Sequence, residues 1–464
     1  MKKTIARTFS LLLAFTLASC NFPQKTTPQP ATTASATAPP TVTVTESETV
    51  EVALTPTPEP LPSSYTNLLQ EKVASGEWTQ EEGLVILLKL FVGEIQFDDA
   101  GLGQGVKETE GTGILRLASN YLQTGTDQSV KNEITRLLKI LVPSQEALDR
   151  YSIPREQAYG RGRGLAALAR QDSEACDRLW STGFPDDRTP SFVCFLFDDL
   201  NIAGNVYRVY YPQAWHGDSS RDSYYAATLQ AVQKSITLFQ GYGSVGSIYF
   251  VFTTLPDERG ADIEASTDTA NFLPETEACP VIINPSAMSK REPEYKQIIA
   301  HEIFHCFQAW NLREQLDGPM LDSSWWVEGT AEYFSNLVYP SVNLEHQWAT
   351  DFSELSTVKP LTKMTYENFA FFQFLGNRIG PAGVISMLAT MPTTPGSEAQ
   401  LAALAAILGM EDTFEAFTRA VIDNTIIDSD GRAIYIDENY TEEYSFTDIN
   451  NRDFPANPSS LPAI

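Results

Sequence analysis

Apolar side chains recur at helical spacing through residues 65–73, 81–92, 114–122 and 130–141, which predicts four amphipathic helices in a row. Gly101, Gly103, Gly105, Gly111 and Gly113 interrupt the set after its second member, and Gly160-Arg161-Gly162-Arg163-Gly164 reads as a flexible junction rather than a phosphate cradle. Past Phe192 the period changes. Stretches 206–211 and 247–253 are rich in β-branched and aromatic residues and predict strands on either side of a helix over 222–239, with a further short strand over 280–284. Helical spacing then returns over 293–312, with Pro293 suited to a first turn, and again over 324–337, 366–379, 383–389, 399–408 and 413–423. Asp428-Ser429-Asp430-Gly431 between short apolar runs favours a hairpin turn over a calcium loop, because the ligand set of an EF-hand is incomplete. The fold class expected is therefore α+β. A small helical domain over 65–170, with no chemical motif of its own, precedes a body over 171–464 in which a small mixed sheet is followed by helices.

The first residues suggest an address. Lys2, Lys3 and Arg7 precede an apolar run from Phe9 to Ala18, which falls short of the ~20 residues a membrane span requires. Leu17-Ala18-Ser19-Cys20 resembles a bacterial lipobox, so residues 1–19 are expected to be a signal peptide and Cys20 the lipidated mature N-terminus. An ordinary secretory signal with a cysteine nearby is the alternative. Residues 20–64 are dominated by Thr, Pro, Ala and Ser and cannot bury enough apolar surface to offset their ordering entropy. They are expected to form a disordered tether, reaching up to ~130 Å if extended as polyproline.

The formal net charge is −27, and loss of residues 1–19 would make it more negative. That balance argues against nucleic acid as a partner and against attraction to an anionic membrane surface, so membrane association would rest on the lipid anchor. Beyond Cys20 lie Cys176, Cys194, Cys279 and Cys306. An oxidising exterior permits two disulfides; sequence neighbourhood favours Cys176–Cys194 and Cys279–Cys306, and buried free thiols are the alternative for all four.

The chemistry is concentrated at His301-Glu302-Ile303-Phe304-His305 and, on the next predicted helix, at Trp326-Val327-Glu328-Gly329-Thr330-Ala331-Glu332-Tyr333. Helical positions four apart share a face, so both imidazoles can reach one ion while Glu302 projects beside its open position. A catalytic zinc site uses three protein ligands and leaves a fourth place for water. His301, His305 and Glu328 are the expected ligands, Glu302 the general base, and Glu332 the acceptor for a ligand histidine's free ring N–H. A chance match on an ordinary helix is the bland alternative. Cys306 points about 100° around the helix from His305 and is a poor ligand, while His216 and His346 lack partnered spacing and are assigned to surface or loops.

HEIFHCF together with WWVEGTAEYF resembles the gluzincin metallopeptidases, the group containing thermolysin and the aminopeptidase N-like enzymes. The run from Tyr366 through Phe372 is similar to the tyrosine-bearing helix of the aminopeptidase N-like branch, which implies that the Tyr366 hydroxyl donates to the oxyanion. A packed aromatic at the head of an apolar helix is the other reading of Tyr366. The spacing from Glu328 to Tyr366 is short for that branch. Its Gly-x-Met-Glu-Asn run, which recognises a free N-terminus, is not found here, so the resemblance does not carry an exopeptidase activity. The likeness spans about residues 290–385 and implies a zincin-like two-lobed domain, with the active site between a sheet-bearing upper lobe and a helical lower one.

Together these readings give an extracytoplasmic, membrane-anchored zinc metallopeptidase acting on a peptide or protein. The first rival is a non-catalytic surface-binding lipoprotein on the same scaffold, against which the intact Glu302 argues. A solute-binding lipoprotein is the second, and it lacks a second α/β lobe.

Overall fold

The computed structural model describes residues 64–436 except 93, 97–101, 103–110, 144, 161–193, 254–263, 268–277, 317–323, 394–396 and 408. Cys20 and the expected signal peptide and tether fall outside these residues, as does Cys176. Residues Glu59–Ile464 cluster as one compact unit.

The chain begins with α1 (Tyr65–Ala74), α2 (Gln80–Phe91), α3 (Thr112–Thr124) and α4 (Gln128–Leu141), where the apolar spacing predicted them. Capping explains two of the starts: Thr79 and Glu82 close a reciprocal capping box on α2, and Asp127 accepts from Ser129 and Val130 at the head of α4. The four helices bury a cluster of their own, including Leu69, Leu84, Leu87, Leu88, Ile114, Leu115, Ile134 and Leu137. Helix α5 (Gln145–Arg150), strand β1 (Ser152–Pro154) and helix α6 (Arg155–Gly160) follow. Strand β1 joins the sheet, although the sequence assigned its residues to the helical domain; three residues are too few to show a period.

Strands β2 (Phe195–Ile202), β3 (Asn205–Pro212), β4 (Ile248–Phe252), β5 (Ala265–Thr267) and β6 (Cys279–Ile283) complete a six-stranded mixed sheet in the order β1-β2-β3-β4-β6-β5. Between β3 and β4 runs α7 (Ser219–Phe239), capped by Asp218. Strand β2 was not expected, because Asp198 and Asp199 break its apolar run. Register accounts for one of them: Asp199 lies opposite Arg208 of β3 and pairs with it at 2.6 Å. Alternation sends Ile248, Phe250 and Phe252 into the main core while Tyr249 and Val251 face a second cluster with Leu148 and Tyr151.

Helix α8 (Glu292–Asn311) carries Pro293 near its start and packs on α7 and on the later α10 (Ser324–Val338). A short α9 (Arg313–Leu316) lies between them. After a 3₁₀ turn at Leu344–Trp348 come α11 (Ala349–Leu355), a second turn at Tyr366–Asn368, α12 (Phe369–Leu388), α13 (Ser397–Ala406) and α14 (Met410–Ile422). Tyr366 thus precedes its helix rather than starting it. The two helices expected over 366–379 and 383–389 are both present as the two stretches of α12, separated at Gly380, where φ 73° and ψ 162° leave the helical region and only glycine adopts such a φ readily. The hairpin expected near Gly431 is present, with a bridge between Ile427 and Ala433. No described helix is long and apolar enough to cross a membrane.

Cys279 opens β6 facing the main core, opposite Cys306 on α8, and the two form a disulfide with Cα atoms 5.9 Å apart. Cys194 is also disulfide-bonded.

Candidate metal centre

Helix α8 brings His301 and His305 onto one face, one turn apart, and their Nε2 atoms lie 2.9 Å from each other. Helix α10 crosses beside it and places Glu328 Oε2 3.1 Å from His305 Nε2 and 3.5 Å from His301 Nε2. The close approach of α12 to α10 depends on Gly329: a Cβ there would stand 2.8 Å from Asn368 Cβ. The three ligand-bearing atoms lie within 4.8 Å of one another.

The proton inventory explains why a cation fits this group. His305 Nδ1 is 2.9 Å from Gln308 Oε1. Gln308 uses its own Nε2 to donate to the Val327 carbonyl and the Thr330 hydroxyl, so its Oε1 is the acceptor and His305 carries its proton on Nδ1. In the neutral ring, Nε2 of His305 then turns a lone pair towards Glu328, and neither Glu328 oxygen has a hydrogen-bond partner. Two lone pairs in contact inside a protein repel unless a positive ion lies between them. Imidazole, imidazole and carboxylate in an open triangle are a donor set suited to zinc, with a position left for water.

Glu302, a residue further round the helix, is fully buried beside the triangle. Its Oε2 accepts from Thr112 at 3.0 Å and from Thr267 of β5, while Oε1 has no donor. Burial raises both carboxyl groups. At Glu302 this effect outweighs the attraction that protonated His305 and His301 would exert, leaving its pKa above the ordinary carboxylate value; at Glu328 the same two rings, protonated with no ion between them, overcome burial and hold it below.

Glu332, expected to receive a ligand histidine's N–H, accepts instead from Trp348 Nε1 at 2.9 Å, and His301 Nδ1 stands 3.8 Å from it, beyond hydrogen-bond range. Tyr366 is fully buried, stacked on Trp348 and with its ring 6.1 Å from that of His301. His346, assigned to a loop, belongs to a separate group with Glu345 and Asp428.

Sequence reasoning did not reach four neighbours: Gln308, Thr267, Thr112 and Arg116. Only Gln308 had a usable signal, standing one turn beyond His305 on the same helix. Thr112 and Arg116 arrive from α3, far away in sequence. Arg116 is buried; burial lowers its pKa to about 10 against the opposing charges of Glu328 and Tyr366. Helix α3 also carries Gly113, where a Cβ would lie 2.7 Å from Thr66 Oγ1 and 3.8 Å from Glu328 Oε1. The N-terminal helices therefore cover the centre, whose His301, Glu302, His305 and Glu328 are at most 2% exposed.

No protein-family model matches the chain, and no curated protein does. Among solved structures, it is similar to an aminopeptidase N family protein from Idiomarina loihiensis, at 13% sequence identity and a TM-score of 0.27. The match takes in 56% of this chain and 46% of that one, so this chain spans less than half of that protein's length.

Proposed function

We propose that the chain is a zinc-dependent metallopeptidase of the gluzincin type, with a zincin-like body and a lipid anchor at Cys20 on an extracytoplasmic membrane face. The observation that carries the reading is the convergence of His301 Nε2, His305 Nε2 and Glu328 Oε2 with the undonated Glu302 Oε1 beside them. Zinc bound by His301, His305 and Glu328 would supply a Lewis acid for the substrate carbonyl and a water of lowered pKa. The chain's own residues do the rest. Gln308 holds His305 in the tautomer that offers Nε2, Thr112 and Thr267 hold one oxygen of Glu302, and the other oxygen takes the proton from the attacking water. Tyr366, stacked on Trp348 with its ring 6.1 Å from that of His301, is assigned the oxyanion.

A second reading, a surface-binding lipoprotein without turnover, draws on the burial of the whole centre under α1 and α3. Under the peptidase reading these helices must swing aside before a peptide can enter.

Hydrolysis of a peptide library by the full-length protein, with and without chelator, separates the two. Glu302→Gln keeps shape and metal and should lower turnover by at least ~10²-fold. Tyr366→Phe should likewise spare the metal and cost ~10²–10³-fold. Unchanged rates in Glu302→Gln discard the mechanism, and a wild type that cleaves nothing leaves the binding reading.

A further inference from the structure

Glu345, His346 and Asp428 form a second convergence of ligand-bearing side chains, apart from the centre described above. Glu345 and His346 lie in the 3₁₀ turn Leu344–Trp348, which Asn343 opens in a left-handed conformation (φ 58°). Asp428 comes from the far hairpin, where its backbone pairs with Arg432. His346 Nε2 stands 3.0 Å from Asp428 Oδ2 and 3.6 Å from Glu345 Oε1. Ligands at about 2.0–2.1 Å from a tetrahedral ion are roughly 3.3 Å from one another. The two distances bracket that value, as do the 2.9, 3.1 and 3.5 Å separations in the first centre.

Apart from His346 itself, the described surroundings offer the two carboxylates no positive partner. Glu345 and Asp428 are 1% and 4% exposed, and among the described residues neither pairs with a lysine or arginine, since Arg432 is engaged with Asp430. Two neighbouring carboxylates buried without a cation are costly, by several kcal/mol per ion as an order of magnitude. A second observation comes from Asn336 of α10. It is fully buried and aims its amide into the group, with Nδ2 2.5 Å from Glu345 Oε1, while its Oδ1 has no hydrogen-bond partner.

We propose that Glu345, His346 and Asp428 bind a second divalent transition-metal ion, with zinc the best match. The imidazole is the reason for the class: calcium and magnesium take oxygen donors, whereas zinc accepts nitrogen and carboxylate together. The ion clips the hairpin to the 3₁₀ turn. Gln297 Nε2 holds the other oxygen of Glu345 at 2.6 Å, so the clip also ties α8 to α10. Gln297 is one turn before His301 and Asn336 one turn after Glu332, which makes the role structural. The inference stands whether or not the first centre is catalytic.

Zinc titration into metal-stripped full-length protein, read by equilibrium dialysis with elemental analysis, tests it. Wild type should bind two ions, Glu328→Ala one, His346→Ala or Asp428→Asn one, and Glu328→Ala with His346→Ala none. In the Glu328→Ala background zinc should raise Tm, calcium should not, and His346→Gln should abolish the shift. One ion in wild type and none in Glu328→Ala overturns the second site, leaving His346 as a protonated counter-ion only. Metal content unaffected by Glu328→Ala yet lost in His346→Ala instead sinks the first centre and leaves this one. The His346 side chain is 32% exposed, so its replacements do not disrupt the core.

Discussion

Gln308 sets the chemistry of His305: its Oε1 lies 2.9 Å from His305 Nδ1, and its Nε2 is anchored on the Val327 carbonyl and the Thr330 hydroxyl. The anchoring atoms belong to α10, the helix that delivers Glu328. One side chain therefore orients one proposed ligand and is anchored on the helix that bears another.

Replacing Gln308 by Ala frees the imidazole to rotate and to place its proton on either nitrogen. Zinc affinity should fall ~10–100-fold, the usual cost of losing an orienting partner. Competition against a chromophoric chelator measures it. Affinity unchanged in Gln308→Ala would mean that the ring is held by packing alone.

How legible this was from the sequence depends on how local each relationship is. His301, Glu302 and His305 share one helical face, and Glu328 is on the next helix, so spacing was enough to group them. Cys306 stands next to a motif residue and pairs with Cys279 as neighbourhood favoured. Thr112 and Thr267 were out of reach, because their bonds to Glu302 depend on α3 and β5 folding back over α8. Glu332 was assigned by spacing to a histidine; its Oε2 faces His301 Nδ1 at 3.8 Å, while Trp348, from a polar stretch with no periodic pattern, bonds its Oε1. The same stretch hid the Glu345 group, which needs the distant hairpin to complete it.

The Cys279–Cys306 bridge closes a loop across a sequence separation of 27 and ties the sheet to α8. Loop-closure entropy assigns such a cross-link about 3.5 kcal/mol. Changing both cysteines to Ala should lower unfolding stability by that order in denaturant titration, with zinc stoichiometry retained below the new transition. A loss under about 0.5 kcal/mol would place the bridge's contribution elsewhere than in the unfolded chain.

Arg136 pairs with Glu94 at 2.5 Å and Glu133 at 2.9 Å, and Lys89 also reaches Glu133. Hydrogen bonds from Arg136 and then Lys89 lower the Glu133 pKa to about 2, so the carboxylate binds protons less readily folded than unfolded. Its contribution is full above the ordinary value of 4.5 and is lost as pH falls towards 2. Arg136 is 45% exposed and solvent screens the pair, which limits the gain to about 1 kcal/mol. Arg136→Gln should therefore lower Tm at pH 7, and the difference from wild type should vanish towards pH 2. A difference independent of pH would trace the effect to packing of the arginine stem.

If the proposed centre takes zinc and a peptide, its burial under the N-terminal helices makes opening of that cover the gate for both. Leu87 is fully buried in the α1–α4 cluster and is not among the residues of the centre, so Leu87→Ala loosens the cover without altering the ligands. Truncation of a buried leucine costs about 2–5 kcal/mol, and the cost falls on the local opening equilibrium of the helices that the residue joins. Zinc loss to excess chelator should then accelerate at least tenfold, and peptide turnover should rise with it wherever opening limits the rate. At high chelator concentration the wild-type rate should level off at the opening rate, because chelator can capture only what the cover releases. Equal rates for wild type and Leu87→Ala, still rising linearly with chelator, would show that metal escapes by a route the helices do not control.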